Sequence, residues 1–261
     1  MPREIVIVGG GIAGVRAARR LSHTNSVTLI EPKHTLTYSP LLRDYALGHI
    51  PERLVDHPYH RVLKNVRHIH GTAEAFDFRT RKIRARSNDQ STTISVPYEY
   101  CIIATDPRAH EFEDALNAYS HEDIRRLRRA LKRIVWKRTP ASLGIIGAGP
   151  HGIEFALGLS QFFTHHGVRG NITLYEREPT ILPRYNERIA RAARAHLIFA
   201  GIRIRNAHAT SVESTDSKRK IYLQENGKIS METHDEIISC AGTTPNTPST
   251  DERLSLRELS S

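Results

Sequence analysis

Apolar positions along this chain fall into one succession that occurs twice. Ile5-Val6-Ile7-Val8 is a short unbroken apolar run, as expected of a strand covered on both faces. A glycine-rich turn follows, then a helix-like stretch, then a second apolar run, Val27-Thr28-Leu29-Ile30, that ends at the acid Glu31. The same order restarts at Leu143-Gly144-Ile145-Ile146, passes a second glycine-rich turn and helix, and reaches Ile172-Thr173-Leu174-Tyr175 and the acid Glu176. What comes next also repeats. After Glu31, loop and helix run to about residue 65, followed by β-type runs at Val66 to Phe76, Lys82 to Arg86 and Thr92 to Val96. An apolar strand from Tyr98 to Asp106 ends in small residues. After Glu176, a helix from about Asn186 to Ala200 stops at Gly201. Strand-like runs follow at Ile202 to Val212, Lys220 to Leu223 and Lys228 to Met231, with Asn226-Gly227 as a hairpin turn between the last two. The half closes on Glu236 to Asn246. Such internal duplication outweighs either turn motif alone, because a chance match need not repeat the elements behind it.

This pattern predicts an α/β protein of two Rossmann-like dinucleotide-binding domains, each with a small antiparallel β meander. Turn-forming and polar residues concentrate at 107–120 and 243–250, the natural crossings between domains. The expected partition is 1–112, then an inserted domain at 113–243, then a return to the first domain at 244–261.

The two turns carry the chemistry. Gly9-Gly10-Gly11-Ile12-Ala13-Gly14 and Gly147-Ala148-Gly149-Pro150-His151-Gly152 both read G-x-G-x-x-G. The first glycine permits a sharp turn out of the strand, the second lets a pyrophosphate approach the backbone, and the third lets helix and strand pack closely. Unpaired N–H groups at the helix start then face the anion. Glu31 stands about 20 residues past its loop, where the fingerprint places an acid on a ribose hydroxyl. Glu176 stands further from its loop, so a loop near His165-His166 and Gly170 is expected to lengthen that crossover. Two such loops imply two dinucleotides.

Bulk composition narrows the alternatives. The 261 residues suffice for two ordinary domains. No apolar run approaches the roughly 20 residues of a membrane span. Met1-Pro2-Arg3-Glu4 leads straight into a strand, which leaves no room for a signal peptide, so a cytoplasmic location is expected. Two cysteines, Cys101 and Cys240, sit on or at the ends of predicted strands, an arrangement that offers neither a disulfide framework nor a zinc site. The fifteen histidines are scattered, His68 and His70 alternating along one strand, and no metal site is assigned. The net charge of +10 peaks at Arg125-Arg126-Leu127-Arg128-Arg129. That stretch predicts a helix opened by a capping box, Ser120 with Asp123, with Ile124, Leu127, Leu131, Ile134 and Val135 as its apolar stripe. Its basic face is read as solvated rather than as a lipid or nucleic-acid site, and nucleic acid is not an expected partner.

The order of motifs resembles the two-dinucleotide flavoproteins, in particular type II NADH dehydrogenases (NADH:quinone oxidoreductases). The residues that carry the likeness are Ile5 to Gly14, Glu31, Tyr38-Ser39-Pro40-Leu41-Leu42, Tyr98 to Thr105, Gly147 to Glu154 and Ala241 to Asn246. The resemblance implies FAD in the first domain and NADH in the inserted one. It places Gly9, Gly11, Ile12, Ala13 and Gly14 on the FAD pyrophosphate and Glu31 on the adenosine ribose. Pro40 would run past the flavin ring, and Ala104 and Thr105 would line the FAD site. Gly147, Gly149, Pro150 and Gly152 would hold the NADH pyrophosphate, with Glu176 and Gly242 in the same site. Glu154, one turn into that helix, matches a family acid directed at the nicotinamide and flavin. Glu176 favours NADH over NADPH, since a carboxylate repels a 2′-phosphate, while Arg177 beside it can accommodate one. The implied reaction is hydride transfer from NADH to FAD and then electron transfer to a quinone-type acceptor. It asks the protein to position two rings rather than to supply a nucleophile.

The sequence departs from the family pattern in two places. Asp106 stands where glycine follows Ala-Thr, and Pro107 comes next. The chain ends at Ser261, before the family's Gly-Asp strand, its interface domain and its amphipathic membrane helices, so the resemblance implies a C-terminally truncated member. Any peripheral membrane contact at the cytoplasmic face would then come from that further part. Two other readings remain open: a dinucleotide-binding remnant without full catalysis, and a sulfide:quinone oxidoreductase-like enzyme, against which the strand positions of the two cysteines argue.

Overall fold

Both apolar runs that precede the glycine turns become central strands of parallel sheets. The computed structural model describes residues 1–88 and 92–246. These form two units: Met1–Tyr38 with Asp56–Arg108 and the described residues from Pro245 onward, and Ser39–Val55 with Ala109–Thr244. The polar tail from residue 247 lies outside the described residues.

In the first unit, strand Glu4–Val8 pairs in parallel with Ser26–Glu31 on one side and Tyr100–Ile103 on the other. Ser26–Glu31 pairs in parallel with the first half of Val66–Asp77, whose second half turns antiparallel to Lys82–Ser87, and Thr93–Pro97 completes the sheet. Ile5, Ile7, Val27 and Leu29 point to one face against Val15 and Ala18 of helix Ile12–Leu21. Val6, Val8 and Ile30 point to the other, toward Phe76, Ile83 and Val96 of the meander. Cover on both faces is why these strands read as continuous apolar runs.

The second unit repeats the central arrangement. Ala141–Ile146 lies in parallel between Gly170–Glu176 and Glu236–Ser239, and the short strands Leu116–Asn117 and Arg203–Asn206 close the two sides. Helices His121–Lys137, Pro150–His165 and Glu187–Phe199 return the chain between parallel strands of this sheet. Here the meander, His208–Ser214, Arg219–Glu225 and Lys228–His234, is a separate three-stranded sheet. Its Ile221 and Leu223 pack with Tyr175 and Ile237.

Several local expectations are corrected. The crossover before Glu176 is lengthened by helix, not loop: Pro150–His165 has 16 residues against 10 for Ile12–Leu21. Its apolar stripe, Phe155, Leu159 and Phe163, continues two turns further into the core. Gly170 already belongs to the strand, where a Cβ would come within 2.1 Å of the Phe163 ring. The run Ile202 to Val212 breaks at Ala207, because its halves serve different sheets. The strand expected from Tyr98 narrows to Tyr100–Ile103. At the start of His121–Lys137 half of a capping box forms. Ser120 Oγ accepts from Asp123 N at 3.3 Å, but the Asp123 carboxylate accepts from Asn117 N instead of returning to Ser120. Ile124, Leu127 and Leu131 are buried, whereas Ile134 and Val135 are only partly covered.

The segment Ser39–Val55 packs with the second unit: Leu42, Tyr45, Ala46 and Leu47 join its core. Burying four such side chains contributes several kcal/mol at roughly 25 cal/mol per Å².

Candidate functional site: two glycine loops

The two loops have the same backbone geometry. Gly9 and Gly147 have φ of +102° and +97°, left-handed values open to glycine. Gly9 N donates to Ile30 O at 3.0 Å and Gly147 N to Tyr175 O at 2.8 Å. A Cβ on Gly14 would lie 1.9 Å from Gly9 O, and one on Gly152 would lie 1.9 Å from Gly147 O. The third glycine of each motif is therefore required by close packing of helix on loop. Gly11 and Gly149 are the N-caps, each in extended backbone, and neither makes a side-chain cap. The helix-start N–H groups are left for a ligand. Pro150 occupies the first turn, where no N–H is needed.

The acids behave identically. Glu31 Oε2 accepts from Gly10 N at 2.7 Å and Oε1 from Lys33 N at 3.0 Å. Glu176 Oε2 accepts from Ala148 N at 2.7 Å and Oε1 from Glu178 N at 3.0 Å. Each carboxylate is thus held at the mouth of its own loop, where a ribose would lie beside the pyrophosphate.

The side chains around the loops differ. Above Gly149 a Cβ would meet nothing within 4 Å, and Gly147, Gly149, Pro150, Glu176 and Gly242 all line a cavity of about 660 Å³, a size suited to an organic ligand. Above Gly11 stands Asp106, its Oδ1 only 2.4 Å from where a Cβ would sit. The carboxylate that takes the place of the family's glycine has turned toward the loop, into the path of a pyrophosphate. Asp106 is exposed, so rotation of its side chain clears the loop. The backbone of both loops fits a dinucleotide, and at the first loop the fit requires Asp106 to swing out.

The remaining assigned residues are distributed as follows. Ile12 and Ala13 form the first turn of the first helix. Ala104 N donates to Val8 O at 2.8 Å, which sets the chain against Gly9, and Thr105 Oγ1 donates to Asn246 O at 2.8 Å. Pro40 lies in the single turn Ser39–Leu41. Glu154 is half-exposed and ion-paired to Arg43 at 3.3 Å, one turn beyond the residues that line the second cavity. The two cysteines are free. Burial pushes the Cys101 thiol up to about 11 and raises Cys240 further still, so both are protonated at neutral pH. His68 alternates with His70 as expected and hydrogen-bonds Glu31 O at 3.1 Å, with burial holding it below the ordinary histidine range.

Other residues in the sites were not foreseen. Tyr59, almost fully buried, donates to Gly10 O at 2.7 Å and braces the first loop from below; burial and the nearby Glu31 and Asp106 raise its phenol above the ordinary range. In the second unit, His151 stacks on Tyr119 at 4.8 Å and lines the cavity, and burial keeps its imidazole neutral by lowering its pKa. His151 stood inside the glycine motif, the only signal available. Arg184 also lines the cavity, together with Arg177, which the sequence had already placed beside Glu176. Arg177 pairs with Glu178 at 3.4 Å.

Comparison with known proteins agrees with this geometry. The family model for pyridine nucleotide-disulphide oxidoreductases matches residues 3–258. The chain is 26% identical over 275 residues to the mitochondrial external alternative NAD(P)H-ubiquinone oxidoreductase B2 of Arabidopsis thaliana, covering 92% of this chain and 47% of that protein. The structure of NDH2 from Plasmodium falciparum in complex with NADH superposes with a TM-score of 0.79 at 16% identity, over 93% of this chain and 55% of that one. The sulfide:quinone oxidoreductase of Aquifex aeolicus superposes with a TM-score of 0.74 at 19% identity, over 91% of this chain and 58% of that one. The chain thus spans about half the length of the relatives it matches. Two phosphate-cradling loops on duplicated sheets, each with its own acid, and a family match along nearly the whole chain lead to one conclusion: this chain belongs to the pyridine nucleotide-disulphide oxidoreductase family.

Proposed function

We propose that this chain is the dinucleotide-binding part of an NADH:quinone-type oxidoreductase, taking FAD at the Gly9–Gly14 loop and NADH at the Gly147–Gly152 loop. The observation that carries the reading is the duplicated cradle, with Glu31 on Gly10 N and Glu176 on Ala148 N at the same 2.7 Å. The names of the relatives, NAD(P)H-ubiquinone oxidoreductases, support the same donor and acceptor. When both nucleotides are bound, the chemistry they supply is hydride transfer from nicotinamide C4 to flavin N5 and onward electron transfer to a quinone. The residues of this chain act by holding phosphates, ribose hydroxyls and rings in place. Glu176 accepts the adenosine ribose hydroxyls and disfavours a 2′-phosphate, so NADH is the preferred donor. Arg177 and Arg184 at the same cavity leave NADPH a secondary one.

Glu154 serves as a positioning residue. Its pairing with Arg43 ties the nucleotide helix to segment Ser39–Val55 within the second unit. Glu154→Gln is expected to lower the rate of flavin reduction several-fold in stopped flow while leaving NADH affinity unchanged.

A second reading, a nucleotide-binding module without flavin turnover, is favoured by one observation, the Asp106 carboxylate against Gly11. Cys101 on strand Tyr100–Ile103 and Cys240 just past strand Glu236–Ser239 are both held protonated by burial, which disfavours sulfide oxidation, a reaction that needs reactive thiols. An absorbance spectrum of the chain saturated with FAD, before and after anaerobic NADH, separates the readings. Flavin bands that bleach support the oxidoreductase. A chain that takes up NADH and keeps no flavin bands once unbound FAD is removed supports the module.

A further inference from the structure

Apart from the nucleotide cavity, the second unit holds a cavity of about 580 Å³ whose walls carry five cations. Four come from one helix. On His121–Lys137, Arg126, Arg129, Lys132 and Arg133 are all exposed, and at 100° per residue they lie within one arc of about 120°. The fifth, Arg219, opens strand Arg219–Glu225 and reaches the same cavity from another element. Positions three and four apart on a helix are neighbours, so like charges there repel and cost stability. The chain neutralises the first of the four: Arg126 pairs with Glu122 at 2.7 Å and with Asp123 at 3.3 Å. The side chains of Arg129, Lys132 and Arg133 make no hydrogen bond or salt bridge among the described residues.

Two of the three acids on these walls are already committed. Asp114 accepts from Ser214 N at 2.8 Å. Glu236, at the start of strand Glu236–Ser239, lies 3.5 Å from Arg219 with its side chain only 15% exposed. Burial raises its carboxyl above the ordinary range, against the fields of Arg219 and Arg133. Glu113 is exposed and has no partner among the described residues, so it can accept from a hydroxyl. Ala115 and Leu116 add a small apolar patch. No residue lining this cavity also lines the one above Gly149.

A basic helix face in open water needs no ligand. Here the face is one wall of a concave surface, where low-dielectric walls concentrate the positive potential, and an arginine from a distant strand adds to it. Guanidinium groups offer paired N–H donors at the spacing of phosphate oxygens. A cavity of this volume suits an organic molecule rather than a bare ion. We infer that this cavity is a further anion site, distinct from both glycine loops, for a soluble phosphate ester with at least two anionic groups. Arg129, Arg133 and Arg219 take the phosphate oxygens, Lys132 adds a point charge, and Glu113 accepts from a hydroxyl of the same molecule. No aromatic side chain lines the cavity among the described residues, so it offers bases no platform for stacking, which disfavours a nucleic-acid strand. The inference does not rest on the proposed flavin chemistry, since neither nucleotide enters this cavity.

The test is a calorimetric titration of fructose 1,6-bisphosphate into the full chain with NADH held at saturation, with fructose and duplex DNA as separate arms. The expected result is one bisphosphate per chain and no heat with fructose. Neutralising three cations together (Arg129→Gln, Lys132→Gln, Arg133→Gln) should weaken the bisphosphate by about 100-fold or more. A control that removes the same charge from helix Glu187–Phe199, outside the cavity (Arg188→Gln, Arg191→Gln, Arg194→Gln), should change it by less than about three-fold. NADH affinity should match wild type in both variants, which separates a lost site from lost folding. Thermal melts give a second readout: the bisphosphate should raise the melting temperature of wild type and of the control, and leave the first variant where it was. The inference is overturned by no heat with the bisphosphate, including the case in which DNA alone binds. Equal weakening in the two variants would also overturn it, as the mark of diffuse surface charge. So would an affinity that the first variant leaves unmoved, or binding seen only when NADH is withheld, since both mark a glycine loop.

Discussion

The two glycine loops share a backbone and differ in what stands over them. Each has a left-handed first glycine, a third glycine against the first one's carbonyl, and an acid on the second residue's N–H. Over the second loop the surface opens into a cavity; over the first, an aspartate closes on Gly11. Backbone hydrogen bonds and steric exclusion make the cradle, and these are dictated by glycine spacing. Whether the cradle is ready for an anion is decided by one side chain from the segment that follows strand Tyr100–Ile103. The second loop is ready as folded, whereas the first must move Asp106 before a pyrophosphate can settle.

The comparison breaks most strongly at the third glycines. In Gly152→Ala the new methyl would lie 1.9 Å from a backbone oxygen of its own loop, and in Gly14→Ala likewise. Each should cost its unit about 1–3 kcal/mol and reduce binding of one nucleotide by more than 100-fold. Gly152→Ala should remove NADH and spare FAD, and Gly14→Ala the reverse, by fluorescence titration of each ligand. By contrast, Gly149→Ala meets open space and should leave the thermal melt unchanged while weakening NADH.

A smaller effect is expected from the acids. Glu176→Ala removes the ribose acceptor and the charge that opposes a 2′-phosphate, with Arg177 and Arg184 still in place. The ratio of NADPH to NADH affinity should rise about ten-fold, by competition between the two. An unchanged ratio would show that Glu176 only braces Ala148 and Glu178.

The gentlest probe is pH. His234 is buried between Ser142 Oγ, 2.9 Å from Nδ1, and Tyr175 Oη, 2.6 Å from Nε2. Burial pushes its pKa down to about 4 from an ordinary 6.5. The unfolded chain then takes up a proton in a range where the folded one does not. The stability of the second unit should therefore be full above about 6.5 and decline as the pH falls toward 4. Thermal melts of His234→Gln across that window should show a flatter decline.

Much of this was legible in the sequence, and the parts that were not have physical reasons. The loops, Glu31, Glu176 and both meanders follow from glycine spacing and apolar runs, which are local. The placement of Ser39–Val55 with the second unit was not, because Leu42, Tyr45 and Leu47 are apolar on a short helix that could be buried by either unit. Tyr59 under Gly10 and Tyr119 on His151 come from distant positions with no motif around them. Asp106 was visible as a departure from the family pattern, but its direction depends on a side-chain rotation that no spacing encodes.

The most direct test of the account is a calorimetric titration of FAD into the wild-type chain and into Asp106→Gly. Relieving one carboxylate near a pyrophosphate is worth on the order of 1 kcal/mol at the surface. The account predicts one FAD per chain, bound about ten-fold tighter by the variant, with NADH affinity the same in both. FAD affinity that is equal in the two chains, or FAD that competes with NADH for one loop, would contradict it.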